Sequence, residues 1–104
     1  MSVPVEIADI PDRLAELGRG YLLTSRDGLV KAVSVRATWE DGTLVVAKPG
    51  PGSLRNVAAN PRVTLLFPPL VDPGMTLLVD GTATGEGDDV RITPTSAILH
   101  RPTP

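Results

Sequence analysis

At 104 residues the chain is one domain, and without cysteine it has no disulfide, no thiolate nucleophile and no cysteine metal ligand. Its formal net charge of −2 comes with no basic cluster, which argues against nucleic acid as a partner. No apolar stretch reaches the roughly 18 residues of a membrane helix, and the N-terminus has no basic n-region, so a cytoplasmic protein with no membrane partner is the default expectation.

Residues 1–8 read as an extended arm. Asp9 is placed to cap a short helix, with Pro11 in its first turn and Asp12 positioned as in a capping box. Ile10, Leu14 and Leu17 give that helix one apolar face, and Gly18 and Gly20 end it. The period then changes. Tyr21 to Ser25 is a short strand, followed by an Asp27-Gly28 turn. Val30 to Thr38 alternates, with Val33, Val35 and Ala37 on one face and Ser34, Arg36 and Thr38 on the other. A second tight turn at Asp41-Gly42 leads to the strand Thr43 to Ala47, giving an antiparallel meander.

Alternating Pro and Gly keep Lys48 to Gly52 irregular. Ser53 is then the expected N-cap of a helix from Leu54 to Ala59, with Asn60 as a left-handed stop and Pro61 preventing continuation. Val63 to Phe67 is a continuous apolar run, expected to be buried on both faces. After the rigid loop Pro68 to Gly74 comes a strand from Met75 to Gly85, in which Gly81 invites a bulge. The last strand runs from Val90 to Leu99, with Pro94 marking an edge or a bulge, and residues 100–104 form a tail. Six short strands and two short helices, with a core made of Val, Leu, Ile and Ala because only 3% of residues are aromatic, favour a small all-β barrel.

One segment carries more functional information than the rest. Lys48-Pro-Gly-Pro-Gly leads straight into a helix start at Ser53, and free N–H groups at a helix N-terminus favour an anion, here a phosphate-bearing cofactor. The string Asn60-Pro61-Arg62-Val63-Thr64-Leu65-Leu66-Phe67-Pro68 resembles a segment of pyridoxamine 5′-phosphate oxidase. The wider order also resembles the flavin-binding split-barrel family: Thr24-Ser25, Asp27-Gly28, Val33 to Arg36, Asp41-Gly42, Leu54-Arg55-Asn56 and Asp80 to Ala83. The likeness spans about Tyr21 to Ala83.

The resemblance implies a six-stranded Greek-key split barrel, a homodimer, and FMN or a deazaflavin (haem in some branches) in a groove between subunits. It implies that the strand Val33-Ser34-Val35-Arg36 runs beside the ring and that the segment before the second helix holds the phosphate. The family's Ser-Arg-Lys clamp is replaced by Pro51-Gly52-Ser53, so phosphate contacts would fall to the Ser53 hydroxyl, the N–H groups of Leu54 and Arg55, and the side chains of Arg36, Lys48 and Arg55. The substrate-binding C-terminal segment of the true oxidase has no counterpart in Val90 to Pro104, so pyridoxamine phosphate oxidation is not expected.

Three functions fit this reading. The first is an FMN- or deazaflavin-dependent oxidoreductase or carrier. The second is a non-catalytic dimeric module that binds no flavin tightly. The third is a haem or tetrapyrrole binder with His100 as axial ligand. The bland readings are a half-buried contact for Trp39, a structural role for Asn56, an ion pair for Arg62 with an acidic neighbour or a partner subunit, and a solvated turn for Glu86 to Asp89. His100 has no companions placed for a catalytic triad.

Overall fold

A computed structural model describes residues 1–101; the part of the expected tail beyond Arg101 lies outside the described residues. The chain forms strands β1 (Ser2–Val5), β2 (Gly20–Arg26), β3 (Leu29–Val35), β4 (Ala37–Glu40), β5 (Thr43–Val46), β6 (Arg62–Phe67), β7 (Thr76–Glu86) and β8 (Asp89–His100). Helix α1 (Ile10–Leu14) follows a 3-10 turn at Ile7–Asp9, and helix α2 is Pro51–Ala59.

The sheet order is β3-β2-β6-β7-β8-β5-β4, with β1 also paired to β8 and every pairing antiparallel. Strands β3 and β4 lie at opposite ends of this order, yet only Arg36 separates them in the chain. The sheet must therefore curl until its two edges meet at Arg36. That curl makes the barrel, and the missing pairing between β3 and β4 leaves it split.

The described residues form eight strands where six are expected. The run Val30 to Thr38 divides at Arg36, because its halves serve opposite edges of the sheet. Alternation keeps its parity across the break, so the pattern hides it. The N-terminal arm is partly a strand, with Ser2 to Val5 pairing with residues 97–100 of β8. His100 accordingly belongs to β8, not to a tail, and the Arg101 N–H donates to Met1 O at 2.9 Å.

The Asp-Gly turns form as expected. Asp27 and Gly28 both have positive φ (54° and 79°), as do Asp41 and Gly42 (49° and 77°), which suits two-residue hairpins. The Gly81 bulge also forms. Asp80 faces Ser96 while Gly81 faces Pro94, so Thr95 is the extra residue. A Cβ on Gly81 would lie 2.5 Å from Thr93 O, so only glycine lets β8 cross there.

Three helix expectations are corrected. Asp9 makes no side-chain cap because the 3-10 turn runs directly into α1 and leaves Asp9 in helical backbone. Helix α2 starts two residues before Ser53, with Pro51 at its first turn and Gly50 at φ 105° as the boundary residue. Asn60 is extended (φ −144°), not left-handed, since Pro61 disfavours helical backbone before it.

The core is aliphatic around one aromatic: Leu22, Leu44, Val46, Leu65, Leu77, Val79, Val90, Ile92 and Phe67 are fully buried. Strand β6 is not buried on both faces. Val63, Leu65 and Phe67 enter the core, whereas Arg62 is exposed and Thr64 and Leu66 are half-buried. An apolar run on a half-buried strand means that its outer face carries apolar side chains as well. The pairings align Tyr21, Leu66, Leu78, Ile98 and Pro4 as one row across the outer face. The next row is Ala32, Leu23, Thr64, Asp80 and Ser96.

Candidate cofactor and ligand site

Two adjoining cavities lie along β2 and β3 and share Val30. The smaller, about 250 Å³, sits where the β2–β3 hairpin meets the start of α2. Its walls carry the cations Arg26, Lys31 and Arg55 against the single acid Asp27. Gly52 completes it. A Cβ on residue 52 would collide with Lys31 Nζ, so the glycine lets the ammonium lie against the first turn of the helix.

That placement is electrostatically unfavourable by itself, because a helix N-terminus carries partial positive charge. Gly52 and Ser53 follow Pro51 in the first turn, where N–H groups lack intrahelical acceptors. The cavity therefore collects positive charge from three side chains and a helix end. An oxyanion is the complementary occupant.

The larger cavity, about 730 Å³, is an open groove on the outer face of β2, β6, β7 and β8. Asp80 lies in it, and its Oδ1 accepts a hydrogen bond from the Thr64 hydroxyl at 2.6 Å. The Thr95 hydroxyl donates to Asp80 O at 3.1 Å, so the bulge and the carboxylate are tied together. Asn60 supports the other end: its Nδ2 donates to Ser25 Oγ (3.0 Å) and its Oδ1 accepts from the Arg62 N–H (3.1 Å). Asn56, in the wall of the small cavity, donates through Nδ2 to Thr24 Oγ1 in the wall of the large one (3.0 Å).

The residues singled out from sequence are not gathered together. Of those expected to touch a cofactor, Arg55 alone lines a cavity; Asn56 and Arg62, read as structural and ion-paired, line one as well. Arg36 is exposed between β3 and β4, five residues or roughly 16 Å along the strand from Lys31. Lys48, at φ 45°, is tied through its backbone N–H to Asp89 Oδ1 (3.0 Å) beside the start of β8. Val33 is half-buried, Val35 is buried, and the exposed Ser34 accepts from Arg19 Nε at 3.0 Å. The Leu54 N–H is not free for a phosphate: it donates to Gly50 O at 3.2 Å, a consequence of the earlier helix start. His100 lines neither cavity, and its Nδ1 lies 3.1 Å from Ser2 Oγ.

Ser53 lies on the buried side of α2 with Asn56 and Val57, and its Oγ has no hydrogen-bond partner among the described residues. A buried hydroxyl left unsatisfied costs about 1–3 kcal/mol. Ser53→Ala should thus stabilise the fold by about 1 kcal/mol, raising the melting temperature by roughly 4 °C in a thermal denaturation. A lower melting temperature would mean that the hydroxyl has a partner in solution.

Lys31, the residue that sequence reasoning missed, did leave a signal. It shares its parity with Val33 and Val35, so a charge stands on the inward stripe of the strand. Arg26 carries no comparable mark, and Asp80 stands out only as part of the Asp80 to Ala83 likeness.

No family model and no curated protein matches the sequence. Solved structures do match the fold. A pyridoxamine 5′-phosphate oxidase-like protein from Listeria innocua superposes with a TM-score of 0.72 at 17% identity, over 89% of this chain and 96% of that one. The chain has the split-barrel fold. An FAD binding protein from Mycobacterium smegmatis matches this split barrel with a TM-score of 0.68 at 18% identity, over 97% of this chain and all of the other. An F420 reductase matches with a TM-score of 0.65 at 19% identity, over 79% and 89%. At such identities the likeness is one of fold. Among the described residues no helix is long and apolar enough to cross a membrane, and no group of His, Asp and Glu is arranged to hold a metal.

Proposed function

We propose that this split barrel binds a phosphate-bearing flavin or deazaflavin and serves oxidoreductase chemistry. The observation that carries the reading is the small cavity with Arg26, Lys31 and Arg55 converging on the glycine-relieved start of α2. It fits an oxyanion although the Ser-Arg-Lys clamp is absent from the segment before the helix. The adjoining groove gives the rest of such a molecule a surface to lie on, with the exposed Val30 as the shared wall. The fold neighbours include an FAD binding protein and an F420 reductase, which is consistent with this class of cofactor.

When bound, the cofactor would supply the electron-transfer chemistry, and the chain would supply binding, orientation and electrostatics. Lys31, Arg26 and Arg55 hold the phosphate, while Asn56 and Asn60 keep the walls of both cavities in register. A second copy of the chain covers the row Tyr21, Leu66, Leu78 and Ile98, one aromatic and three aliphatic side chains that one protomer leaves partly exposed, and so walls the open groove. His100, the axial ligand that haem would need, stands away from both cavities.

Titration of the purified protein with FMN, FAD and F420, followed by quenching of cofactor fluorescence, tests the proposal. Saturable binding of at least one of them, tighter than that of riboflavin, is the expected result. Failure of all three to bind would overturn it. Sedimentation velocity is expected to give a dimer, and Leu78→Asp is expected to shift it to monomer.

A further inference from the structure

The large groove has a charge pattern that the cofactor reading does not use. Arg62 and Asp80 both line it, on adjacent strands and on the same face. Arg62 faces Thr82, two residues from Asp80, which sets the pair on a cross-strand diagonal with Cα atoms about 7–8 Å apart. Arginine is long enough to close that gap, yet the two make no ion pair. The one ion pair among the described residues is Arg91 with Glu86, at 2.7 Å. Asp80 is already oriented: Thr64 holds Oδ1, and the Thr95 hydroxyl holds the backbone carbonyl, leaving Oδ2 without a partner among the hydrogen bonds of the described residues. Arg62 is oriented at its backbone by Asn60.

The groove thus holds one cation and one anion, neither neutralised by the other: the Asp80 carboxylate is held by Thr64, and Arg62 is tied at its backbone. Hydroxyl side chains, among them Ser25, Thr82 and Ser96, fill much of the remaining wall. A simple anion entering this groove would meet Asp80, and a simple cation would meet Arg62. A molecule carrying both charges satisfies each. We propose that the groove is a binding site for a small zwitterion, with its ammonium group on Asp80 and its carboxylate on Arg62, whose planar fork matches a carboxylate in bidentate geometry. The charge pair lies in the groove and not in the phosphate cavity, so the zwitterion would sit against whatever part of a bound cofactor reaches into the groove, and the pair is present without one.

A charge-dissected probe series tests this on the intact protein. β-Alanine and 4-aminobutyrate are compared with propionate, butyrate and butylammonium by amide chemical-shift titration, with and without FMN. The expected result is saturable shifts at Thr64, Gly81 and Thr95 with a zwitterion, and at least tenfold weaker binding of the singly charged analogues. Asp80→Asn is expected to abolish the preference of 4-aminobutyrate over butyrate, and Arg62→Gln its preference over butylammonium. Equal binding of singly and doubly charged probes would overturn the proposal, as would the absence of shifts with every probe. A third result would also overturn it: either variant weakens the dimer in sedimentation and leaves the titrations unchanged, which assigns both charges to the subunit interface. Because the series compares ligands on the unaltered chain, a variant that folds poorly does not remove the test.

Discussion

Lys31→Ala should weaken FMN binding about ten- to a hundredfold while leaving riboflavin binding unchanged. The size follows from losing a charge-assisted contact to phosphate, one of the stronger hydrogen-bond classes. The selectivity follows from geometry, because Lys31 reaches the first turn of α2 across Gly52 and does not line the groove. Lys31→Arg should recover much of the affinity, and high salt should erase part of the difference between wild type and Lys31→Ala. Arg36→Ala and Lys48→Ala serve as controls and should change FMN affinity less than about twofold, since neither residue lines a cavity. Fluorescence titration with FMN and riboflavin in parallel reads all four variants. An equal loss for both ligands would mean that Lys31 acts through the shape of the hairpin, not through its charge.

The contrast between Lys31 and Arg36 marks how far the sequence could be read. Strand identity was legible because alternation and Asp-Gly turns are local: the hairpins at Asp27-Gly28 and Asp41-Gly42 and the bulge at Gly81 form where those residues stand. The break at Arg36 was not legible, because what divides β3 from β4 is the choice of partner strands, β2 for one and β5 for the other. That choice also moves Arg36 away from the start of α2. The start of α2 is hidden in the sequence for a different reason. Ser53 has strong capping chemistry, but Pro51 is better still at a first helical turn, and with glycine before it the helix begins earlier. Ser53 is thereby drawn into the buried face and its hydroxyl is stranded. The groove charges Arg62 and Asp80 lie 18 residues apart in sequence and meet only through the β6–β7 register.

The same limit applies to the core, and it leads to the largest stability effect expected here. Phe67 is the single phenylalanine of the chain and is fully buried. Its ring occupies the space in which a side chain on Gly20, 47 positions earlier, would otherwise sit. By sequence, Gly20 reads as the end of the first helix. In the fold it is the buried first residue of β2, and its lack of a side chain is what admits the ring. Phe67→Ala should cost about 3–5 kcal/mol, a large part of the roughly 5–15 kcal/mol that stabilises a domain of this size. Urea denaturation should show the midpoint falling with little change in slope. Gly20→Ala alone should also destabilise, because the methyl meets the ring and the carbonyl of Leu66. In the double variant, however, the new methyl enters the space left by the ring. The loss should therefore fall short of the sum of the single losses by about 1 kcal/mol or more. Strict additivity would show that ring and glycine do not share that space in solution, and with it the account of why β2 begins with glycine would fail.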